Sequence, residues 1–146
     1  MGVTNFDEYR DVFVVADTID DVVHPVTYEL IGQARRIAKE LGQLVQVMLL
    51  GENVQSEAEE LVAHGADIVH VFESPLLKYY TTDGYTKVLT DFFEDHKPNI
   101  LLIGATNNGR DLAPRMSGRM KNGVVADCTI LTVDTEEGLV EWTRPA

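Results

Sequence analysis

A short apolar run followed by a proline-limited helix places the strongest constraint on how this chain folds. Residues 100–103, Ile-Leu-Leu-Ile, form a continuous apolar run, which is typical of a parallel strand covered by helices on both faces. Because proline lacks the N–H that a helix interior needs, it is best tolerated in the first turn of a helix. Pro114 therefore predicts a loop over residues 106–110 and a helix that cannot begin much before Arg110 or Asp111, and Asp111 has a residue type that suits the N-cap.

Apolar periodicity divides the rest of the chain into alternating strands and helices. Pro25 and Gly42 have residue types that suit the start and the stop of the first helix, and Ser56 and Glu59 have the spacing of a capping box. The predicted strands are residues 12–16, 44–50, 68–72, 100–103, 124–133 and 139–143, and the other predicted helices are residues 25–41, a short one ending near 64–65, and 83–96. This order predicts an α/β fold with a doubly wound, mainly parallel sheet and a C-terminal antiparallel edge hairpin around residues 136–138.

The composition indicates one acidic domain. A chain of 146 residues with 45% hydrophobic content can bury a core but is too short for two ordinary domains. The formal net charge of −12 argues against nucleic acid or an anionic membrane as the partner. We see no apolar stretch of membrane-spanning length and no signal or transit pattern, so we expect no membrane insertion and a cytoplasmic location.

Few residues carry the signature of side-chain catalysis. Cys128 is the single cysteine, which excludes an intrachain disulfide, and the four histidines are dispersed without metal-ligand spacing. There is no phosphate-binding GK[ST] loop and no supportable Ser–His–Asp order. We therefore predict no metal site and no catalytic side chain, and we leave open whether the chain is part of an enzyme.

Residues 104–129, GATNNGRDLAPRMSGRMKNGVVADCT, carry a resemblance to a known family. This segment resembles the first domain of the alpha subunit of electron transfer flavoproteins, with its GRDLAPR and TADCT-like motifs. Further similar segments follow in family order along almost the whole chain: HPV at 24–26, VMLLG at 47–51, GAD at 65–67, YTT at 80–82 and TRPA at 143–146. The resemblance implies a three-layer sandwich of the Rossmann-like or adenine-nucleotide-hydrolase-like type.

The resemblance also implies a function, and it implies that residues 1–146 do not include the family's second domain. Family alpha subunits are about twice this long, and a second domain after the TRPA-like segment carries most of the contacts to the electron-transferring FAD. We therefore expect residues 1–146 to be one domain that serves as a scaffold and as an interface for a beta subunit, which holds AMP or a second FAD. An excised or truncated first domain is favoured over the alternative, a naturally short protein. The implied activity is electron transfer between dehydrogenases, such as acyl-CoA dehydrogenase, and a downstream acceptor. NADH-linked bifurcating relatives carry a similar GRDLAPR motif.

Ligands of such folds bind at the carboxyl ends of strands where the strand order reverses. If the first and fourth strands are neighbours, as in the family, Asp17 and Thr18 meet the loop of residues 104–110 in one crevice. The candidate cofactor-binding residues of this crevice are Asp17, Gly104, Thr106, Asn107, Asn108, Gly109 and Arg110. The segment Asn107 to Gly109 could offer N–H groups to a phosphate, but the acidic Asp111 favours turn and cap chemistry instead.

Basic residues concentrate beyond this crevice. Arg110, Arg115, Arg119 and Lys121 stand close together in an acidic chain. Arg110 could hold an anion or a carboxylate of the partner subunit, because its planar fork makes bidentate contacts, and the plain alternative is a solvated helix face with local ion pairs. We predict a partner interface that includes Arg110, Arg115, Arg119 and Asp127, although a structural hydrogen bond is the simpler role for Asp127.

Two other functions fit parts of the sequence. A free-standing ATP- or AMP-binding module of the universal-stress type has an acidic residue after its first strand, as Asp17 is here. The spacing of Gly104 and Gly109 argues against it, and Gly118 is not followed by Ser or Thr. A pure assembly subunit without a ligand is the third possibility.

Overall fold

The computed structural model describes residues 10–119, 128–133 and 140–143. In chain order the elements are β1 (Val12–Val15), β2 (Thr18–Ile19), β3 (Val22–Val23), α1 (Val26–Leu41), β4 (Val45–Gly51), α2 (Ala58–Ala63), β5 (Ile68–Glu73), α3 (Thr82–Asp95), β6 (Ile100–Gly104), α4 (Asn107–Arg119), β7 (Thr129–Val133) and β8 (Val140–Thr143). None of the helices in these ranges is long and apolar enough to cross a membrane.

Six strands form the main sheet in the order β5-β4-β1-β6-β7-β8. The first five are parallel, and β8 pairs antiparallel with β7, with Ile130 opposite Thr143. The strand order reverses between β1 and β6, which are direct neighbours in the register Val12 to Ile100. The predicted doubly wound parallel sheet with an antiparallel edge is confirmed. The turn predicted at 136–138 lies outside the described residues, as do Lys121 and Asp127.

Each face of the sheet carries its own apolar core. Side chains alternate along β4, so that Val47 and Leu49 pack under α1 and α2, while Met48 and Leu50 pack under α3 and α4. All four are fully buried. This double coverage explains why the strands read as continuous apolar runs.

The start of α4 differs from the prediction. The helix begins at Asn107, so residues 107–110 are helical rather than loop, and Pro114 lies inside the helix. Thr106 makes the early start possible, because its hydroxyl accepts from the N–H of Gly109 at 3.1 Å, and its carbonyl accepts from the N–H of Arg110 at 2.8 Å. The N-cap role predicted for Asp111 was therefore wrong. Pro114 is exposed, where water can bond the Arg110 carbonyl that a proline leaves without a donor.

Two smaller features also differ. The predicted capping box of Ser56 was wrong, because Ser56 lies in a 3-10 turn and α2 has no side-chain cap. The hairpin of β2 and β3 was not predicted, although its turn residues Asp20 and Asp21 both adopt positive φ, at 51° and 63°. Aspartate tolerates this left-handed region better than most residues, so the Asp-Asp pair between two β-branched dipeptides was the available signal.

Candidate functional site

Two loops meet at the carboxyl edge of the sheet, where β1 and β6 lie side by side. Asp17 follows β1 and Thr106 follows β6, and the Thr106 hydroxyl donates to the Asp17 carboxylate at 2.5 Å. The N–H of Asp17 in turn donates to the Thr27 hydroxyl at 3.0 Å, which anchors the loop to α1. Because adjacent parallel strands end at the same edge, these polar groups come together although 89 positions separate them in sequence.

The N-terminus of α4 faces this crevice, and one of its N–H donors is already capped. The Thr106 hydroxyl accepts from the Gly109 N–H, so it caps one of the donors that an anion would use. The Asp17 carboxylate bonded to the same hydroxyl brings negative charge to the positive end of the helix. A phosphate here would meet a carboxylate, so the local charge disfavours anion binding.

Close packing of helix on strand also restricts the crevice. A Cβ on Gly109 would overlap the backbone carbonyl of Gly104, so α4 sits directly against the end of β6. Gly104 itself packs against Val26, whose methyl carbon would lie 3.1 Å from a Cβ at that position. Asn108 lines the crevice, whereas Asn107 is exposed.

Tyrosines close the crevice from the other side. Tyr85 is 4% exposed, and its hydroxyl lies 3.4 Å from both the Thr18 hydroxyl and the Leu50 carbonyl oxygen. Burial raises the pKa of Tyr85 above its ordinary value. The cavity that remains between these groups is about 20 Å³, which is room for one water molecule.

The segment before α3 is tied across the crevice onto α4. We call residues 74–82 the strap. Tyr80 donates its hydroxyl to the Asp111 carboxylate at 2.9 Å, and Thr82 donates to the same oxygen. These hydrogen bonds, first that of Thr82 and then that of Tyr80, lower the pKa of Asp111 below its ordinary value. Burial raises the pKa of Tyr80 to about 12, so its hydroxyl keeps its proton and donates throughout the neutral range.

The three arginines of α4 differ in their contacts and lie on different sides of the helix. Arg110 is exposed, and its Nε donates to the Ala105 carbonyl at 3.1 Å. Arg115 pairs with Asp83 in the first turn of α3, so it joins the two helices. Arg119 is exposed at the end of α4. Since nine residues turn an α-helix through about two and a half turns, Arg110 and Arg119 lie on opposite sides of α4.

The described residues offer little for side-chain catalysis. No group of three His, Cys, Asp or Glu within the described ranges is arranged to hold a metal ion. Cys128 is buried beside β7, and burial raises the pKa of its thiol to about 12, so the reactive thiolate is suppressed at neutral pH. Sequence reasoning placed Thr18 in the crevice together with Asp17 but missed Thr27 and Tyr85 as crevice residues, because only the tertiary arrangement brings these two to Asp17.

Comparison with known proteins decides the family. Residues 12–146 match the family described as the electron transfer flavoprotein domain. The chain belongs to the electron transfer flavoprotein family. The match includes the crevice residues and all described strands.

The curated relatives of this electron transfer flavoprotein domain include alpha subunits. The electron transfer flavoprotein subunit alpha of Megasphaera elsdenii is 46% identical over 139 residues, which are 95% of this chain and 41% of the relative. The lactate dehydrogenase (NAD(+),ferredoxin) subunit LctC of Acetobacterium woodii is 46% identical over 94% of this chain and 33% of the relative. The chain thus spans about two fifths or less of the length of these relatives. The predicted resemblance to alpha subunits is confirmed.

A solved structure shares the fold. The universal stress protein from Archaeoglobus fulgidus, in complex with dAMP, matches with a TM-score of 0.50 and 16% identity, over 73% of this chain and 91% of that one. At this identity the likeness concerns the fold alone.

Proposed function

We propose that this chain is the first domain of the alpha subunit of an electron transfer flavoprotein, and that it serves as a scaffold and beta-subunit interface. The identity of 46% to the Megasphaera elsdenii alpha subunit over 95% of this chain carries the proposal. The crevice also supports the scaffold role, because its cavity of about 20 Å³ is too small for a nucleotide or a flavin.

The electron-transferring FAD is then held mostly by the family's second domain, outside residues 1–146. AMP or a second FAD is held by the beta subunit. The flavin supplies the redox chemistry, and this domain supplies position and a rigid surface. The heterodimer passes electrons between dehydrogenases and a downstream acceptor. The cytoplasmic location expected from the sequence stays a prediction.

Two relatives support more specific proposals, one about the type of electron transfer and one about the partner enzyme. The similarity to the lactate dehydrogenase (NAD(+),ferredoxin) subunit supports an NADH-linked bifurcating type. A protein of Anaerotignum propionicum named acryloyl-CoA reductase electron transfer subunit beta is 43% identical over 89% of this chain, which supports an enzyme of the acyl-CoA dehydrogenase class as partner.

Flavin and nucleotide content tests the scaffold role. The chain is purified alone, its visible spectrum is recorded, and any released small molecule is identified by mass spectrometry. We expect no stoichiometric FAD and no AMP or ATP. Stoichiometric FAD would contradict the assignment of the flavin to another domain, and retained ATP or AMP would favour the universal-stress type of module.

Assembly with the beta subunit from the source organism tests the interface. We propose that Arg110, Arg115, Arg119 and Asp127 contribute to it, with Arg110 in the leading role because its exposed guanidinium stands at the start of α4. Arg110→Ala is expected to weaken assembly by about tenfold, the loss of one charged hydrogen-bonding group, while circular dichroism shows a folded domain. Arg10→Ala, an exposed arginine before β1, is the matched control. Equal affinity of the Arg110→Ala variant and the unaltered chain would refute this role.

A further inference from the structure

An open groove lies at the amino edge of the sheet, at the opposite end of the strands from the crevice. The C-terminal half of α1 forms one wall, and the turn between α2 and β5 forms the other. The groove has a volume of about 570 Å³, and its polar lining consists mainly of Arg35, Arg36, Lys39, Gln43 and Asp67. The family match and the proposed scaffold role assign nothing to this region.

The groove concentrates positive charge in an acidic protein. Arg35, Arg36 and Lys39 are three of only 12 basic residues, against 24 acidic ones. All three are exposed, and none has an ion-pair partner within the described part of the chain, whereas Lys78, Lys87 and Arg115 each pair with a carboxylate there. Uncompensated cations beside one groove favour an anionic ligand.

The acidic residue in the lining does not form an ion pair with these cations. Asp67 uses Oδ2 to accept from the N–H of Val45 at 2.9 Å. Its carboxylate therefore completes the start of β4 instead of pairing with an arginine. Gln43 is also fixed, because its Oε1 accepts from the N–H of Asp11 at 2.8 Å and from the Asn99 side chain at 3.2 Å. The floor of the groove is thus made of oriented polar groups.

Arg35 lies against a glycine. Gly65 has a φ of +122°, and a Cβ at this position would fall 2.8 Å from Nη1 and 3.1 Å from Nε of Arg35. The missing side chain lets the guanidinium lie over the backbone of the turn before β5. The guanidinium therefore lies beside the groove, and its planar fork can form two hydrogen bonds to one anion.

We propose that this groove binds the phosphate group of a small phosphorylated molecule. Guanidinium forks match the geometry of phosphate oxygens, and the lysine adds a mobile point charge. The volume falls within the range of small-molecule sites, so the groove has room for a ligand larger than a single phosphate. The groove lies on the face of the sheet covered by α1 and α2, whereas the proposed beta-subunit residues of α4 lie on the opposite face.

Titration with inorganic pyrophosphate tests the proposal on the chain itself. We expect saturable binding by calorimetry, with NMR shift changes concentrated in residues 35–45 and 62–67. The double variant Arg36→Gln, Lys39→Gln is expected to bind at least about tenfold more weakly, since two charge-assisted contacts are lost. Lys87→Gln removes an exposed cation on α3 and is the matched control, expected to leave the affinity unchanged.

A second variant separates geometry from charge. Arg35→Lys keeps the positive charge but removes the fork, so we expect weaker pyrophosphate binding with an unchanged melting temperature. Adenosine, which has no phosphate, is expected not to compete. The proposal is overturned if pyrophosphate does not saturate, if Lys87→Gln weakens binding as much as the double variant, if Arg35→Lys binds as well as the unaltered chain, or if adenosine competes. Flavin content and beta-subunit assembly measure other regions, so their outcomes are independent of this result.

Discussion

Thr106 couples the two halves of the crevice through a single hydroxyl. It donates to Asp17 at 2.5 Å and accepts from the N–H of Gly109 at 3.1 Å. The first bond joins the loops after β1 and β6, and the second caps α4. The same atom therefore holds the sheet edge together and uses the helix donor that an anion would otherwise bind.

Replacement of Thr106 by valine removes this hydroxyl and keeps the branched shape. We expect Thr106→Val to lower the free energy of unfolding by about 1 to 2 kcal/mol, the usual cost of a lost N-cap. Urea denaturation measures it. Thr86→Val is a matched control, because the Thr86 hydroxyl is fully buried and has no hydrogen-bond partner within the described residues, so its removal should be neutral or stabilising. An equal loss in both variants would contradict the capping role.

The sequence indicated Asp17 and Thr106 but not their contact. Both residues follow apolar runs, so the sequence predicted that each lies just after a strand. Whether the two residues meet depends on the order of the strands in the sheet. The Thr106 hydroxyl can accept from the Gly109 N–H only because α4 begins at Asn107. The position of Pro114 alone could not predict this early start.

At the scale of elements, α4 shows how packing overrides a local preference. A proline inside a helix removes one hydrogen bond and is disfavoured by about 3 kcal/mol relative to alanine. The early start of α4 is supported by the Thr106 cap and by the contact of the helix with the end of β6, where Gly109 lies against the Gly104 carbonyl. These contacts are non-local, so the sequence pattern predicted the helix but misplaced its first residue by about a turn.

Two glycines on α4 give opposite predictions. Gly109→Ala places a methyl group on the Gly104 carbonyl, so we expect a loss of about 2 to 3 kcal/mol or more. Gly118→Ala meets no atom within 4 Å and is expected to stabilise the protein by about 1 kcal/mol, since alanine favours helix. Thermal and urea unfolding measure both. A tolerated Gly109→Ala would show that α4 does not pack as closely on β6 as described.

The strap adds a pH dependence to the attachment of α4. The pKa of Asp111 is lowered by hydrogen bonds from Thr82 and Tyr80. A carboxyl with a lowered folded pKa contributes stability that is present above its ordinary value of 3.8 and is lost as the pH falls through the folded value. We expect Asp111→Asn to flatten the fall in melting temperature below about pH 4 relative to the unaltered chain.

Asp95→Asn is the control for this pH series, because Asp95 is an exposed carboxylate at the end of α3. This variant should show the same fall in melting temperature below about pH 4 as the unaltered chain. The strap interpretation fails if Asp111→Asn follows the same curve as the unaltered protein.

At the scale of the whole molecule, the apolar core stabilises the folded state and the net negative charge destabilises it. Two apolar clusters on the two faces of the sheet stabilise the fold. The 24 acidic residues exceed the 12 basic ones by 12, and their mutual repulsion opposes compaction. The groove at the amino edge is a local exception to this negative field.

Salt should therefore stabilise the whole domain. Raising NaCl from about 0.02 M to about 0.5 M screens the repulsion, and we expect a gain in unfolding free energy on the order of 1 kcal/mol. Urea titrations at the two salt concentrations measure the gain. The same comparison near pH 4.6, the sequence isoelectric point, should show a much smaller effect. A salt effect that is equal at both pH values would exclude charge repulsion as its cause.

Local pattern by itself determined the elements and the class of this protein. Apolar runs, helical spacing and the terminal residues of helices are short-range features, so they predicted the parallel sheet, and the GRDLAPR segment indicated the family. Tertiary structure alone decided the contact of Thr106 with Asp17, the strap on Asp111, the placement of Arg35 over Gly65 and the start of α4. These features join residues that are distant in sequence, and their energies depend on packing and charge that no local window contains.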